Sequence, residues 1–159
     1  MEGILDQIDV QILHIVQPDA GRTLSQISRV VKRSQAACFK RLQRLRERGI
    51  IRRTVTLLDP QALNVAVTAM ATIQFNASAA QSPGAVASAL ARLPEVMDVF
   101  RVAGSSNLLL RVVMPHKASA TALTGKLRAI APDGALNMTF VDCLHMKTAL
   151  PLEFAAMSA

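Results

Sequence analysis

Apolar residues follow two rhythms along this chain. Up to about residue 50 they recur every three or four positions, and from about residue 65 they mostly alternate. Leu5, Ile8, Ile12 and Ile15 share one helical face, predicting a helix over 6–16. Asp6 and Asp9 lie in its first turns, where the positive end of the helix dipole favours negative charge. Residues 18–21 break that helix. Thr23 then begins a T-x-x-Q pattern with Gln26, a reciprocal cap, and Leu24, Ile27 and Val31 form a second short apolar face. Only a tight turn separates this from Ser34, which is placed to cap a third helix in which Cys38, Leu42 and Leu45 are spaced i, i+4 and i+7. Gly49 follows, a residue suited to the left-handed turn that ends many helices. Three short helices with a tight turn between the second and third predict a helix-turn-helix. Residues 50–58 alternate loosely, as a small wing or as the start of a connecting strand.

In the second half, Val65, Val67, Ala69, Ala71, Ile73 and Phe75 alternate with more polar positions and predict a strand. Pro83-Gly84 opens a helix carrying Val86, Leu90 and Leu93, closed by Pro94. Residues 96–103 and 108–114 predict two strands around the turn Gly104-Ser105-Ser106-Asn107. Leu123, Leu127 and Ile130 mark another helix, and Leu136, Met138, Phe140, Leu144 and Met146 alternate along a long last strand. The order βαββαβ predicts a ferredoxin-like domain with helices over one sheet face and an open, alternating face as a candidate partner surface. The fold class is therefore α+β: a helix-turn-helix domain over 1–53, a linker over 54–64, and a ferredoxin-like domain over 65–155 whose open sheet face is a candidate for oligomerisation.

Charge gives the two halves different roles. Within residues 32–53 there are nine Lys/Arg against one acid, Glu47, a net +8 on a chain whose total is +7. A cationic, amphipathic helix with a short polar N-terminus suits the major groove, with cations on phosphates and first-turn side chains at base edges. Double-stranded promoter DNA is the expected partner. Gln35 is placed to read adenine and Ala36 to touch a thymine methyl, with Ser34 at the helix start. Lys40, Arg41 and Arg44 lie off the apolar face and are expected on phosphates, with guanine as the alternative contact for any one of them, and Arg52 and Arg53 on the flanking backbone.

The same residues carry a family likeness. Residues 5–13, LDQIDVQIL, resemble the L-D-x-x-D-x-x-I-L opening helix of the Lrp/AsnC (feast/famine) bacterial transcription regulators. Ser34, Cys38, Arg41, Leu42, Leu45, Gly49, Ile50 and Ile51 resemble its S-x-x-x-C-x-x-R-[LV]-x-x-L-x-x-x-G-[IV]-I recognition segment, and LLDP at 57–60 resembles the segment that follows. The resemblance implies a sequence-specific DNA-binding regulator that dimerises through the sheet of its C-terminal domain and assembles further, as an octamer or similar ring. It also implies an amino-acid-like effector held near Gly104, Ser105, Asn107 and Thr139. The family's matching turn resembles G-D-x-D, whereas this chain reads G-S-S-N. Two carboxylates that would hold an ammonium group are thus replaced by Ser105 and Asn107, which puts the usual effector in question. Siroheme decarboxylases resemble the family in both domains, so a tetrapyrrole enzyme is a rival reading. A nucleoid-type architectural protein without effector is another.

Other chemistry adds little. His14, His116 and His145 are scattered without carboxylates at metal-ligand spacing, and no nucleophile elbow or phosphate-cradling glycine loop is present, so no catalytic group, metal or cofactor is expected. Cys38 and Cys143 are expected as small core residues. No run is long enough for a membrane span and no signal peptide is visible, which places the expected site of action in the cytoplasm.

Overall fold

The computed structural model describes residues 5–65, 67–75, 82–105 and 107–153. The chain forms two compact units. One comprises residues up to Leu57 together with the chain from His145 onward, and the other is Leu58–Leu144.

The first unit is built on three helices, α1 (Gln7–Val16), α2 (Leu24–Val31) and α3 (Gln35–Glu47). Each begins at a side-chain cap. Asp6 and Asp9 form a reciprocal capping box on α1, Thr23 and Gln26 another on α2, and the Ser34 hydroxyl accepts from Ala37 N at 3.2 Å on α3. Lys32 closes α2 in the left-handed region (φ 52°), and Arg33 N donates to Ser28 O at 3.2 Å, so the chain reverses within three residues. Gly49 (φ 69°) ends α3, and Ile50 N donates back to Leu45 O at 2.9 Å. The apolar faces meet in a core of Ile12, Leu13, Ile27, Val31, Cys38, Leu42 and Leu45. At ~1.5–3 kcal/mol per fully buried aliphatic side chain, this packing outweighs the propensity of such short helices.

Leu152 is also part of that core, 8% exposed, and Gln17 Nε2 donates to Leu150 O at 2.9 Å. The sequence pattern put residues 145–155 with the sheet. The last strand instead stops at Val141, Leu144 (94% exposed) and Met146 (59%) lie beyond its ladder, and Cys143 is exposed rather than packed in a core. Residues 52–58 form no helix and pair with no strand among the described residues.

The second unit has the order β1 (Val67–Phe75), α4 (Pro83–Leu90), β2 (Val96–Arg101), β3 (Leu108–Met114), a short 3-10 turn at Lys117–Ser119, α5 (Ala120–Ile130) and β4 (Gly134–Val141). The sheet runs β2-β3-β1-β4 with every pair antiparallel, the split arrangement that βαββαβ requires. Ala69, Ala71 and Ile73 of β1 and Leu108, Leu110, Val112 and Met114 of β3 point to one face, where Val86 and Leu90 of α4 and Leu123 and Leu127 of α5 cover them. At the start of β4 the backbone passes so close to β1 that a Cβ on Gly134 would lie 2.4 Å from Ile73 Cγ2. The opposite face carries Thr68, Met70 and Thr72 with Asp98, Phe100, Leu109 and Arg111. It is less apolar than the alternation suggested, because Arg111 Nη2 pairs with Asp98 at 2.6 Å in its midst.

Candidate nucleic-acid interface

α3 carries more cations than either other helix of the first unit, and a cationic segment continues it. Its inward residues, Cys38, Leu42 and Leu45, are buried, whereas Ser34, Gln35, Ala36, Lys40 and Gln43 are exposed. The polar first turn and the cap therefore stand at the surface, as a groove-entering helix needs. Arg52 and Arg53 follow the Gly49 turn and are exposed as well. They share the lining of one open cleft of about 820 Å³ with Arg46 of α3 and with Arg22, which itself pairs with Asp19 at 3.0 Å.

Arg41 and Arg44 are used differently from the expectation. Both reach across to the start of α1. Arg41 Nη1 donates to Asp6 and, at 2.8 Å, to Asp9 Oδ1, while Arg44 Nη2 donates to Asp9 Oδ2 at 2.6 Å. Asp9 is 1% exposed and is the one buried charged residue among the described residues. A carboxylate so buried is stable there only because two guanidiniums compensate it. For Asp6, burial raises the pKa, but the hydrogen bond from Arg41 and the backbone N–H groups of Asp9 and Ile8 outweigh it, and the net shift is below the ordinary 3.8. The same bonds hold the Arg41 guanidinium still more firmly protonated.

The consequence is electrostatic as well as structural. Two of the nine cations within residues 32–53 are offset by Asp6, the cap of α1, and Asp9 in its first turn, and the other seven make no ion pair among the described residues. With 3.6 residues per turn, Arg41 and Arg44 lie on the flank of α3 that faces α1, and Gln35, Phe39 and Arg46 lie on the other. Phe39 is 50% exposed, a large apolar side chain on that flank which the sequence pattern did not single out. Its signal was its position one residue past the buried Cys38.

The expected effector residues do not form one cluster within the chain. Gly104 (φ 74°) and Ser105 are exposed in the β2–β3 turn, and Ser106 lies outside the described residues. Asn107 Oδ1 accepts from Phe75 N at 3.2 Å, so this side chain fastens the turn to the end of β1. Ser105 Oγ donates to Val102 O at 3.3 Å and accepts from Asn107 N at 3.2 Å. Thr139 is exposed on β4 opposite Met70, five residues along β1 from Phe75. At ~3.3 Å per residue that is on the order of 15 Å from the turn. His14 and His145 are exposed, and His116 shares a hydrogen bond with Ser119 Oγ at 2.9 Å. No group of three or more His, Cys, Asp or Glu is arranged to hold a metal among the described residues, and no helix there is long and apolar enough to cross a membrane.

Comparison with known proteins follows the same division of the chain. A family model described as winged helix-turn-helix DNA-binding matches residues 5–52, and one described as the Lrp/AsnC ligand binding domain matches residues 68–141. The glutamate uptake regulatory protein of Zymomonas mobilis is 32% identical over 150 residues, which cover 93% of this chain and 91% of that protein. An AsnC family transcriptional regulator from Agrobacterium tumefaciens superposes with a TM-score of 0.86 at 30% identity, covering 94% of this chain and 99% of that one. A transcriptional regulator from Neisseria meningitidis, solved as an L-Met complex, superposes at 0.84 with 25% identity, covering 94% and 98%.

Proposed function

Because the chain belongs to the Lrp/AsnC family of DNA-binding transcriptional regulators, we propose that it sets α3 into the major groove of promoter DNA and answers a small effector through its sheet unit. The observation that carries this is the open side of α3. Its capped, polar first turn is exposed, and seven cations of residues 32–53 are left uncompensated by any acid among the described residues. Ser34, Gln35 and Ala36 contact base edges and the adjoining phosphate, while Lys40, Arg52 and Arg53 neutralise backbone charge. Arg41 and Arg44 act one step back, fixing the angle of α3 on α1.

The working form is a homodimer that assembles further, towards an octamer, in the cytoplasm. A pocket using both the 104–107 turn and Thr139 would need more than one copy of the chain, since the two stand far apart in one. In that pocket Asn107 has its carbonyl oxygen occupied by Phe75 N and only its amide N–H groups left to offer. Gly104, Ser105 and Asn107 thus suit the carboxylate end of an amino acid better than its ammonium group.

The test is binding to the duplex upstream of the protein's own gene, at fixed salt, against scrambled competitor, with and without a mixture of amino acids that includes L-methionine and L-glutamate. Selective binding that shifts with the mixture is expected. Selective binding without a shift would remove the effector from the reading, and no binding to any duplex would overturn it.

A further inference from the structure

We infer that Phe39 is a specificity-determining residue that reads the 5-methyl group of a thymine in the major groove. This rests on the DNA-binding reading of α3. Leu42 and Leu45 are 7% and 0% exposed, whereas the Phe39 ring is 50% exposed and lies outside the core of the helical unit. Among the described residues, the core of the unit does not include it. Its neighbours on the helix surface are Ala36 at i−3, Gln35 at i−4 and Gln43 at i+4, all exposed. Long helical side chains lean towards the helix N-terminus, so the ring leans over the turn that holds Gln35 and Ala36, the end that enters the groove. No cation on this stretch is tied to an acid there, because the ion pairs of α3 with α1 all involve Arg41 and Arg44 on the opposite flank. The ring is therefore an exposed apolar surface beside the turn that the proposed function sets into the groove. The one apolar feature of a base pair in the major groove is the thymine methyl.

The position is also suited to discrimination. A ring that abuts a methyl group gains from its burial and finds only the small C5–H of cytosine at the equivalent place. Removing one methyl group from a buried contact weakens binding about fourfold.

The experiment uses the full-length protein and a duplex selected from a random pool at fixed salt. Each thymine of the selected site is replaced singly by deoxyuridine, which keeps base pairing and deletes the methyl. For the wild type, at least one replacement is expected to weaken binding about fourfold. Phe39→Ala is expected to bind the thymine and deoxyuridine duplexes equally, with the salt dependence of wild type, and Phe39→Leu to retain part of the discrimination. Thermal melting by circular dichroism is expected to be unchanged in both variants, since the ring is outside the core. A wild type indifferent to every deoxyuridine, or a Phe39→Ala that keeps the full penalty, overturns the inference while leaving DNA binding in place. Failure to bind any duplex overturns both.

Discussion

Replacing Asp9 by asparagine takes one negative charge from a site that is 1% exposed and leaves two guanidiniums facing a neutral amide. Removing one partner of a buried ion pair costs ~3–5 kcal/mol. Two features lower that figure here. Arg41 keeps its bond to Asp6, and the Arg44 side chain is 48% exposed, so it swings into water at the modest cost typical of a surface pair. What remains is the loss of two charge-assisted bonds at a buried oxygen pair, together with a weakened reciprocal cap where Asp6 N approaches Asp9 Oδ2 at 3.4 Å. The expected destabilisation of the helical unit is ~2–3 kcal/mol. For a unit of this size each kcal/mol shifts melting by ~4–8 °C, so the loss is on the order of 10–20 °C. Hydrogen exchange on the full chain reads it directly. Amides of α1 and α3 should lose protection while those of β1 and β3 keep theirs. A change below about 0.5 kcal/mol in α1 and α3 would refute the clamp and return both arginines to the solvent.

Other outcomes follow from the same geometry. Lys40→Ala should flatten the salt dependence of DNA binding by about one unit of slope, and Arg44→Ala by less than half of that, because Asp9 already compensates Arg44; the reverse order in a salt titration would put Arg44 on a phosphate. Leu152→Ala should destabilise the helical unit by ~2–3 kcal/mol, read as lost exchange protection in α1 to α3. Gly134→Ala should cost the sheet unit ~1–3 kcal/mol, because its Cβ meets the Ile73 side chain in the core, and a denaturation midpoint equal to wild type would contradict this. Asp6 has a folded pKa below its ordinary 3.8, so its contribution is fully present above that value and is lost as pH falls through the folded one; an acid titration of Asp6→Asn should show a shallower loss of stability in that window.

Periodicity made the helices and strands legible because each element has one buried stripe or face. Cys38, Leu42 and Leu45 are buried as their spacing predicts, T-x-x-Q opens α2 and Gly49 ends α3 as their chemistry requires. What a single stretch of sequence does not contain is the partner of an exposed-looking charge. Arg41 and Arg44 meet acids 32 to 35 residues away, and nothing in the pattern of α3 distinguishes a guanidinium aimed at α1 from one aimed at phosphate. The end of β4 was misplaced for a related reason. Alternation continues through Leu144 and Met146, but among the described residues no strand pairs with it, and Leu152 finds its apolar surroundings among the helices instead. Asn107 is an effector residue by the family likeness alone, and the contact its carbonyl oxygen makes with the Phe75 amide, 32 residues away, is one that no local pattern shows.

Leu152 also sets an order of events during synthesis. The helical core that receives it is otherwise encoded by the first fifty or so residues, yet this side chain is added about 100 residues after α3 is complete. At ~5–20 residues per second the interval is ~5–20 s. Throughout it the three helices exist without the leucine that closes their core, and the whole sheet unit is made in the meantime. The helical unit of this regulator therefore reaches its full stability only after the sheet unit has been synthesised.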